Sequence, residues 1–388
     1  MPCLHMTRIE IDLGRFQKNL RSLRQISPRA LYCLPVKADA YGHGLIPMAK
    51  AAAEEKVDYL AVACLQEGAA LREAGINLPV LVLGSFFQEQ IPSLIRYKLE
   101  LSLHSFEQAL SLAAYCRKSQ QKVRVHLKID TGMRRLGIRA EEAPALWRFL
   151  KQHRLIEVAG VFSHFVSSEK KNDLFSLRQI ESFRRIYEMI KQERPKAIGH
   201  MANSGGLLNY PSSHFEMVRP GLLSYGYRPD GGSSQALGIA PCLSLKSRVS
   251  LEKKLKAGEG VSYRHTYLAK QNTRLATVPV GYGDGYKRQL SNRAEVLIKG
   301  RRYPIRGLIC MDALLVEVGK IPVKVGDEVV LIGKQGKHQI SLEELSRLCQ
   351  SSVYEMACSF TQRVPKFYRN CRRVSCRSLE QAHLGGNF

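Results

Sequence analysis

The chain has 388 residues, of which 45% are hydrophobic and 24% charged, enough for a large buried core and about two domains. Its net charge is +25, yet the densest basic groups are only the pairs Arg134-Arg135, Lys253-Lys254, Arg301-Arg302 and Arg372-Arg373, with no interleaved aromatics. That pattern sets aside nucleic-acid binding as the main function and leaves salt-sensitive polyanion adhesion or attraction of small anions. No two of the ten cysteines have the C-x-x-C spacing of a zinc or redox site, so no metal is expected and free thiols in a reducing compartment are.

Residues 1–12 lack a signal-peptide core, and the longest apolar segment, 78–87, is about half the length of a membrane span, so a soluble cytoplasmic protein without a membrane association is expected. From 12 to about 225, short apolar runs alternate with longer amphipathic stretches. Strands are predicted at 31–36, 59–63, 80–83, 99–103, 123–129, 158–162, 197–199 and 215–218, and helices between them, for example at 106–116, 143–152 and 174–191. In the last helix Leu174, Leu177, Ile180 and Phe183 share one face. Strand–helix alternation means a parallel sheet, and about eight such units suggest an N-terminal (β/α)8 TIM-type barrel. The fourth and eighth runs are weak, and an open doubly wound sheet fits as well.

The segment 228–234 reads as loop, and β patterns follow at 243–251, 273–280, 294–298, 303–309, 314–318 and 328–332, the mark of a mostly antiparallel β domain. One helix is predicted at 341–349, with Ser341 as its cap and Glu344 completing a capping box. The expected organisation is therefore a barrel over 12–235, a β domain over 236–370 that recruits a strand at 6–11, and a polar, basic tail over 371–388.

Functional residues of a barrel lie at the C-terminal ends of its strands. Lys37 ends the first run, Lys128 lies at the end of the fifth, His164 follows the sixth, Asn203-Ser204-Gly205-Gly206 the seventh, and Arg219-Pro220-Gly221 the eighth. Each has an ordinary structural alternative. A lysine closing a buried strand can carry a Schiff base, and small residues with a hydroxyl expose donors to a phosphate. Lysine and phosphate cradle together point to pyridoxal phosphate, with a sugar-phosphate Schiff-base enzyme as the competitor.

The strings Val36-Lys37-Ala38-Asp39-Ala40-Tyr41-Gly42-His43-Gly44, Leu127-Lys128-Ile129-Asp130-Thr131-Gly132-Met133, Ser163-His164-Phe165, Ala202-Asn203-Ser204, Val218-Arg219-Pro220-Gly221, Gly258-Glu259-Gly260-Val261-Ser262-Tyr263, Gly281-Tyr282-Gly283-Asp284-Gly285-Tyr286 and Cys310-Met311-Asp312 occur in this order. In that order and spacing, over nearly the whole chain, the sequence resembles the alanine racemases. The resemblance implies interconversion of L- and D-alanine by two-base proton transfer on a pyridoxal 5'-phosphate aldimine, supplying D-alanine for peptidoglycan. Lys37 would be one base and Tyr263, from the partner chain of a head-to-tail homodimer with shared sites, the other. Tyrosine is a poor base at its usual pKa of about 10, so nearby positive charge would be needed.

The resemblance further implies cofactor contacts from Tyr41, His164, Asn203, Ser204, Arg219, Gly221, Leu222 and Tyr354. His164 would touch Tyr263 and lean on Arg219, which would face the pyridine nitrogen. Arg135 and Met311 would bind the substrate carboxylate. Lys128, carbamylated in many members, would steady Arg135, Tyr282 would line the entry, and Asp312 would support the site. A racemase acting on serine or basic amino acids, or a pyridoxal-phosphate carrier without turnover, are the alternatives. Three departures stand out: Arg134 and Arg264 where glycine is usual, and Gly283 in place of alanine.

Overall fold

The computed structural model describes residues 6–229, 232 and 235–370. The tail over 371–388, with Arg372-Arg373, Cys371 and Cys376, lies outside the described residues, as do Cys3 and much of the loop after Pro229. The chain divides into two compact units. One comprises Arg15–Ala40 and Gly44–Pro241; the other collects the residues up to Gly14, Tyr41–His43 and the chain from Cys242. The break after Pro241 falls later than the expected 235/236 boundary, and the visit of Tyr41–His43 to the β unit has no counterpart in the sequence pattern.

The strands before the break are β1 (Arg8–Asp12), β2 (Leu31–Pro35), β3 (Tyr59–Val62), β4 (Val80–Val82), β5 (Glu100–Leu103), β6 (Val123–Asp130), β7 (Ile138–Arg139), β8 (Ile156–Phe162), β9 (Ile198–His200) and β10 (Met217–Val218). All except β1 belong to the first unit. Eight pair in parallel in the order β10-β2-β3-β4-β5-β6-β8-β9, and β7 adds to β6. Next to the two end strands, Glu216 N–H donates to Gly199 O at 3.1 Å and Arg219 N–H to Ala202 O at 2.8 Å, which bends the sheet into a nearly closed barrel. An open doubly wound sheet is thereby excluded. The strands are short continuous apolar runs because both faces are covered: Leu34, Leu60, Leu81, Leu101, Leu127 and Val161 are all fully buried. Helix Leu174–Glu193 starts where the Asp173 carboxylate accepts from Ser176 N–H at 2.8 Å.

The second unit contains β11 (Leu243–Arg248), β12 (Leu251–Leu255), β13 (Gly260–Val261), β14 (Tyr267–Leu268), β15 (Thr273–Val278), β16 (Glu295–Ile298), β17 (Arg301–Pro304), β18 (Leu314–Glu317), β19 (Glu328–Gln335), β20 (His338–Ile340) and β21 (Lys366–Arg369). Its main sheet runs β17-β16-β19-β11-β1-β21, with β20 on β19. A second sheet is β12-β15-β18, and β13-β14 form a two-stranded ladder. The apolar run read as one strand over 243–251 is thus divided at Val249-Ser250, and its halves enter different sheets. Ser341 caps helix Leu342–Leu348 through Glu344 N–H at 3.1 Å, but the Glu344 side chain pairs with Arg302 instead of closing a capping box. A second helix, Val353–Cys358, capped by Ser352, was not foreseen.

Candidate active site

In the barrel unit Lys37 stands half-buried one residue past the fully buried Val36, as the strand gives way to a helical turn over Lys37–Gly42. That turn is left-handed: Ala38, Asp39, Ala40 and Tyr41 have φ of 51°, 52°, 53° and 53°. None is glycine, so each residue is held against its preference. The barrel unit supplies the restraints. Glu67 accepts from Ala38 N–H at 2.6 Å and from Ala63 N–H at 2.7 Å, and Asp39 accepts from Leu45 N–H at 2.7 Å through its carboxylate.

Lys128, near the end of β6, is 5% exposed. Burial first, then the charges of Arg135 and Arg219, brings its pKa down to about 8; Asp130 opposes this and Lys37 adds to it. The following loop is shaped by Asp130, which accepts from Gly132 N–H at 2.9 Å and Arg134 N–H at 3.1 Å. Arg134 takes φ 56°, which accounts for the usual glycine there. Arg135 next to it is exposed. His164 is held well below the ordinary histidine pKa by burial and by Arg219, Lys128, Arg135 and Lys37 in that order, so it is a neutral imidazole at neutral pH.

Asn203 caps the short helix Ser204–Asn209 by accepting from Gly206 N–H at 2.9 Å. Ser204 accepts from Leu223 N–H at 3.2 Å, which joins this loop to the Gly221-Leu222 turn. As an acceptor there, the hydroxyl keeps its own proton for another partner. Arg219 is 4% exposed and donates to His200 Nδ1 at 2.7 Å and to Ser163 O at 2.7 Å. Burial lowers its pKa to about 10, so it remains charged. Its histidine partner is therefore His200, whereas His164 meets Arg219 as a neighbouring charge. His200 and the His126 beside it escaped the sequence reading. Alternation along β6 could have found His126, two positions before Lys128 and on the same face.

In the β unit Tyr263 is 67% exposed, at the tip of a loop with φ of 61° at Ser262, 60° at Arg264 and 44° at His265. Arg264, like Arg134, occupies a left-handed position where glycine is usual. Ser262 Oγ donates to Leu308 O at 2.6 Å and lies 3.4 Å from Cys310 Sγ. Tyr282 N–H donates to Cys310 O at 3.1 Å, and Gly283 N–H to Met311 O at 2.9 Å. A Cβ on Gly283 would come within 2.4 Å of the Arg363 guanidinium, the movable end of a long side chain, and 3.1 Å from Met311 O. Arg363 in turn binds Asp312 at 2.7 Å. Tyr263, Tyr282, Met311 and Asp312 therefore share one loop cluster, and the first three present exposed apolar surface. Tyr41, 8% exposed, packs on Tyr354 with ring centroids 5.8 Å apart.

A parallel barrel with lysines and arginines at its strand ends, and a β unit offering an exposed aromatic cluster, define a two-unit barrel enzyme. Comparison with known proteins agrees: residues 11–229 match the alanine racemase N-terminal domain and residues 242–368 the C-terminal domain. The chain is 41% identical to the alanine racemase of Symbiobacterium thermophilum over 364 residues, covering 93% of this chain and 97% of that protein. Against that of Halothermothrix orenii the identity is 38%, with coverages of 94% and 97%. The crystal structure of alanine racemase from Streptomyces lavendulae superposes with a TM-score of 0.91 at 31% identity, covering 95% of this chain and 98% of that one. This chain belongs to the alanine racemase family.

Proposed function

We propose that the protein interconverts L- and D-alanine with pyridoxal 5'-phosphate as cofactor. The observation carrying this reading is the cationic cluster of the barrel unit. Lys37, Arg135 and Arg219 all act on Lys128 and on His164, and Asp130 is the opposing acid at Lys128. Such a cluster suits a phosphate and a carboxylate. The donor set also fits the cofactor: an amine at Lys37, a free hydroxyl proton at Ser204 beside backbone N–H groups, and a buried arginine in Arg219. Arginine can only donate, so at the pyridine nitrogen it would keep that nitrogen unprotonated.

Bound there, pyridoxal phosphate makes the α-proton of an amino acid acidic by delocalising the charge left behind. The chain's own groups do the rest. Asn203, Ser204, Gly221 and Leu222 would hold the phosphate, and the hydroxyls of Tyr41 and Tyr354 would add donors to it. Arg135 and the Met311 backbone hold the substrate carboxylate, steadied by a carbamate on Lys128. The Lys37 amine exchanges a proton on one face and the Tyr263 hydroxyl on the other, so neither direction requires the substrate to turn. Neutral His164 can share the Tyr263 proton without adding charge. The exposed aromatic cluster around Tyr263 supports a homodimer in which each barrel receives Tyr263 of a second copy. Tyr282 lines the entry, Asp312 supports Met311, and a cytoplasmic source of D-alanine for peptidoglycan is the biological setting.

The deciding experiment incubates the cofactor-loaded protein with a panel of single-enantiomer amino acids in deuterated water and follows chirality and α-deuterium. Alanine is expected to racemise fastest. Faster turnover of serine or a basic amino acid would replace the substrate, and cofactor binding without any exchange would replace the enzyme with a carrier.

A further inference from the structure

A line of buried side chains crosses the barrel interior and ends at Arg219; its other members take no part in the chemistry above. It starts at Glu100, the first residue of β5 and hence at the barrel end opposite the candidate site. Glu100 Oε2 lies 2.8 Å from His126 Nε2, His126 Nδ1 lies 2.7 Å from His200 Nε2, and His200 Nδ1 lies 2.7 Å from Arg219 Nη1. Exposure is 6% at Glu100, zero at both histidines and 4% at Arg219. The neighbouring strand yields space for it: a Cβ on Gly160, paired with His126 in register, would come within 2.3 Å of the His126 ring. Phe162 lies parallel to His200 at 4.9 Å and under the Arg219 guanidinium at 5.3 Å.

The protons in this line can be placed by elimination. Arginine only donates, so His200 Nδ1 must accept and the His200 proton is on Nε2. That proton points at His126 Nδ1, which must accept in turn, so the His126 proton is on Nε2. It needs an acceptor, and the carboxyl oxygen of Glu100 supplies one. A protonated His126 would donate from Nδ1, force His200 to donate from its own Nδ1, and set two donors face to face at Arg219. One arrangement of the rings alone satisfies all three bonds: both histidines neutral and both protonated on Nε2, with the Arg219 guanidinium donating at one end and a Glu100 oxygen accepting at the other. The second Glu100 oxygen is held by Arg124 at 3.3 Å.

We propose that Glu100 is a positioning residue for Arg219, the terminal acceptor that fixes both histidine tautomers and, through them, the guanidinium at the far end of the barrel. An ordinary barrel-filling carboxylate would stabilise the fold equally in either tautomeric state. The effect on catalysis rests on the assignment of Arg219 to the cofactor; the proton arrangement does not.

The test is nitrogen-15 NMR of histidine-labelled, cofactor-loaded protein, in which a bare ring nitrogen and a protonated one give separate shifts, with the two rings identified by H126Q and H200Q. Both are expected to be bare at Nδ1 and protonated at Nε2 at neutral pH. In E100L the tautomers should mix, and kcat should fall about tenfold with little change in KM, the size expected for losing one charge-assisted bond. E100Q, whose amide oxygen still accepts, should keep the tautomers and stay within about threefold of wild type. A proton on Nδ1 of either ring in the wild-type protein would overturn the proposal, a result that does not depend on any variant folding. So would native tautomers and native kcat in E100L. A wild-type protein with the expected tautomers but no racemisation would instead count against the role of Arg219 and leave the buried line intact.

Discussion

Replacing Glu67 with alanine should release the left-handed turn that carries the chain away from Lys37. Within the barrel unit Ala38, Asp39 and Ala40 are held at φ of 51–53°, and a left-handed helical residue costs roughly 1–2 kcal/mol, so about 3–6 kcal/mol of strain is stored there. Glu67 opposes it through its 2.6 Å bond to Ala38 N–H, while its 2.7 Å bond to Ala63 N–H anchors the carboxylate beyond the end of β3. Hydrogen bonds to a charged group contribute roughly 1.5–3 kcal/mol each, and at this exposed position the bond to Ala38 lies at the low end, about 1.5 kcal/mol. With that restraint removed the turn keeps less of its strained geometry, and the Lys37 amine loses its fixed position. Titrating pyridoxal phosphate into the stripped protein and following absorbance should show binding about tenfold weaker in E67A. In E67Q, which keeps one acceptor, the loss should be about half as large in free energy. Cofactor affinity within threefold of wild type in E67A would refute the idea that Glu67 holds the turn.

Arg134→Gly and Arg264→Gly should each raise stability, because relief of roughly 1–2 kcal/mol of left-handed strain exceeds the roughly 0.4–1 kcal/mol lost to a more flexible unfolded chain; a thermal melt should rise by about 1–2 °C, and a fall would contradict the strain at φ 56° and 60°. In carbonate-free buffer Lys128→Met should be more stable than wild type at pH 7, because the native lysine pKa of about 8 is below the unfolded value and protonation there opposes folding. That advantage should fade as pH rises through 8 towards about 10.5, and urea unfolding at pH 7 and 10 measures it. Buried neutral His164 and His200 bind a proton more weakly folded than unfolded, so stability should fall below about pH 6.5, by up to about 1.4 kcal/mol per pH unit for each; His164→Gln should make the slope shallower. Mixing inactive Lys37→Ala and Tyr263→Ala chains should restore part of the activity, and no recovery despite verified chain exchange would rule out sites shared between copies.

The strand pattern of the barrel was legible because buried parallel strands are continuous apolar runs, and even the short β9 and β10 left a trace in the predicted 197–199 and 215–218. The left-handed turn was not legible. Ala38, Asp39 and Ala40 include no glycine, and alanines ordinarily favour the right-handed helix; bonds from distant Glu67 and from Leu45 help to sustain the other hand. The departures Arg134 and Arg264 were visible as letters, but their meaning lies in backbone angles that letters do not carry. His126 and His200 went unremarked because a histidine in an apolar strand reads as core until its partners are known. The excursion of Tyr41–His43 into the β unit had no compositional sign either, although Gly42 marks it: a Cβ there would come within 2.1 Å of Ala357 O.

The position of β1 has a consequence for synthesis. Ile9 pairs with Leu245 on one side and with Lys366 on the other, so an early segment of the polypeptide waits for two late ones. The ribosome delivers every barrel strand before either neighbour of β1 exists. Until they emerge, Arg8–Asp12 carries unsatisfied backbone donors and acceptors on both edges, a surface open to unwanted pairing. The charges of Arg8, Glu10 and Asp12 within this five-residue strand act as gatekeepers during that wait. Slow, long-range zipping of β1 between β11 and β21 is then the expected last event of folding, and the β unit should mature after the barrel on the nascent chain.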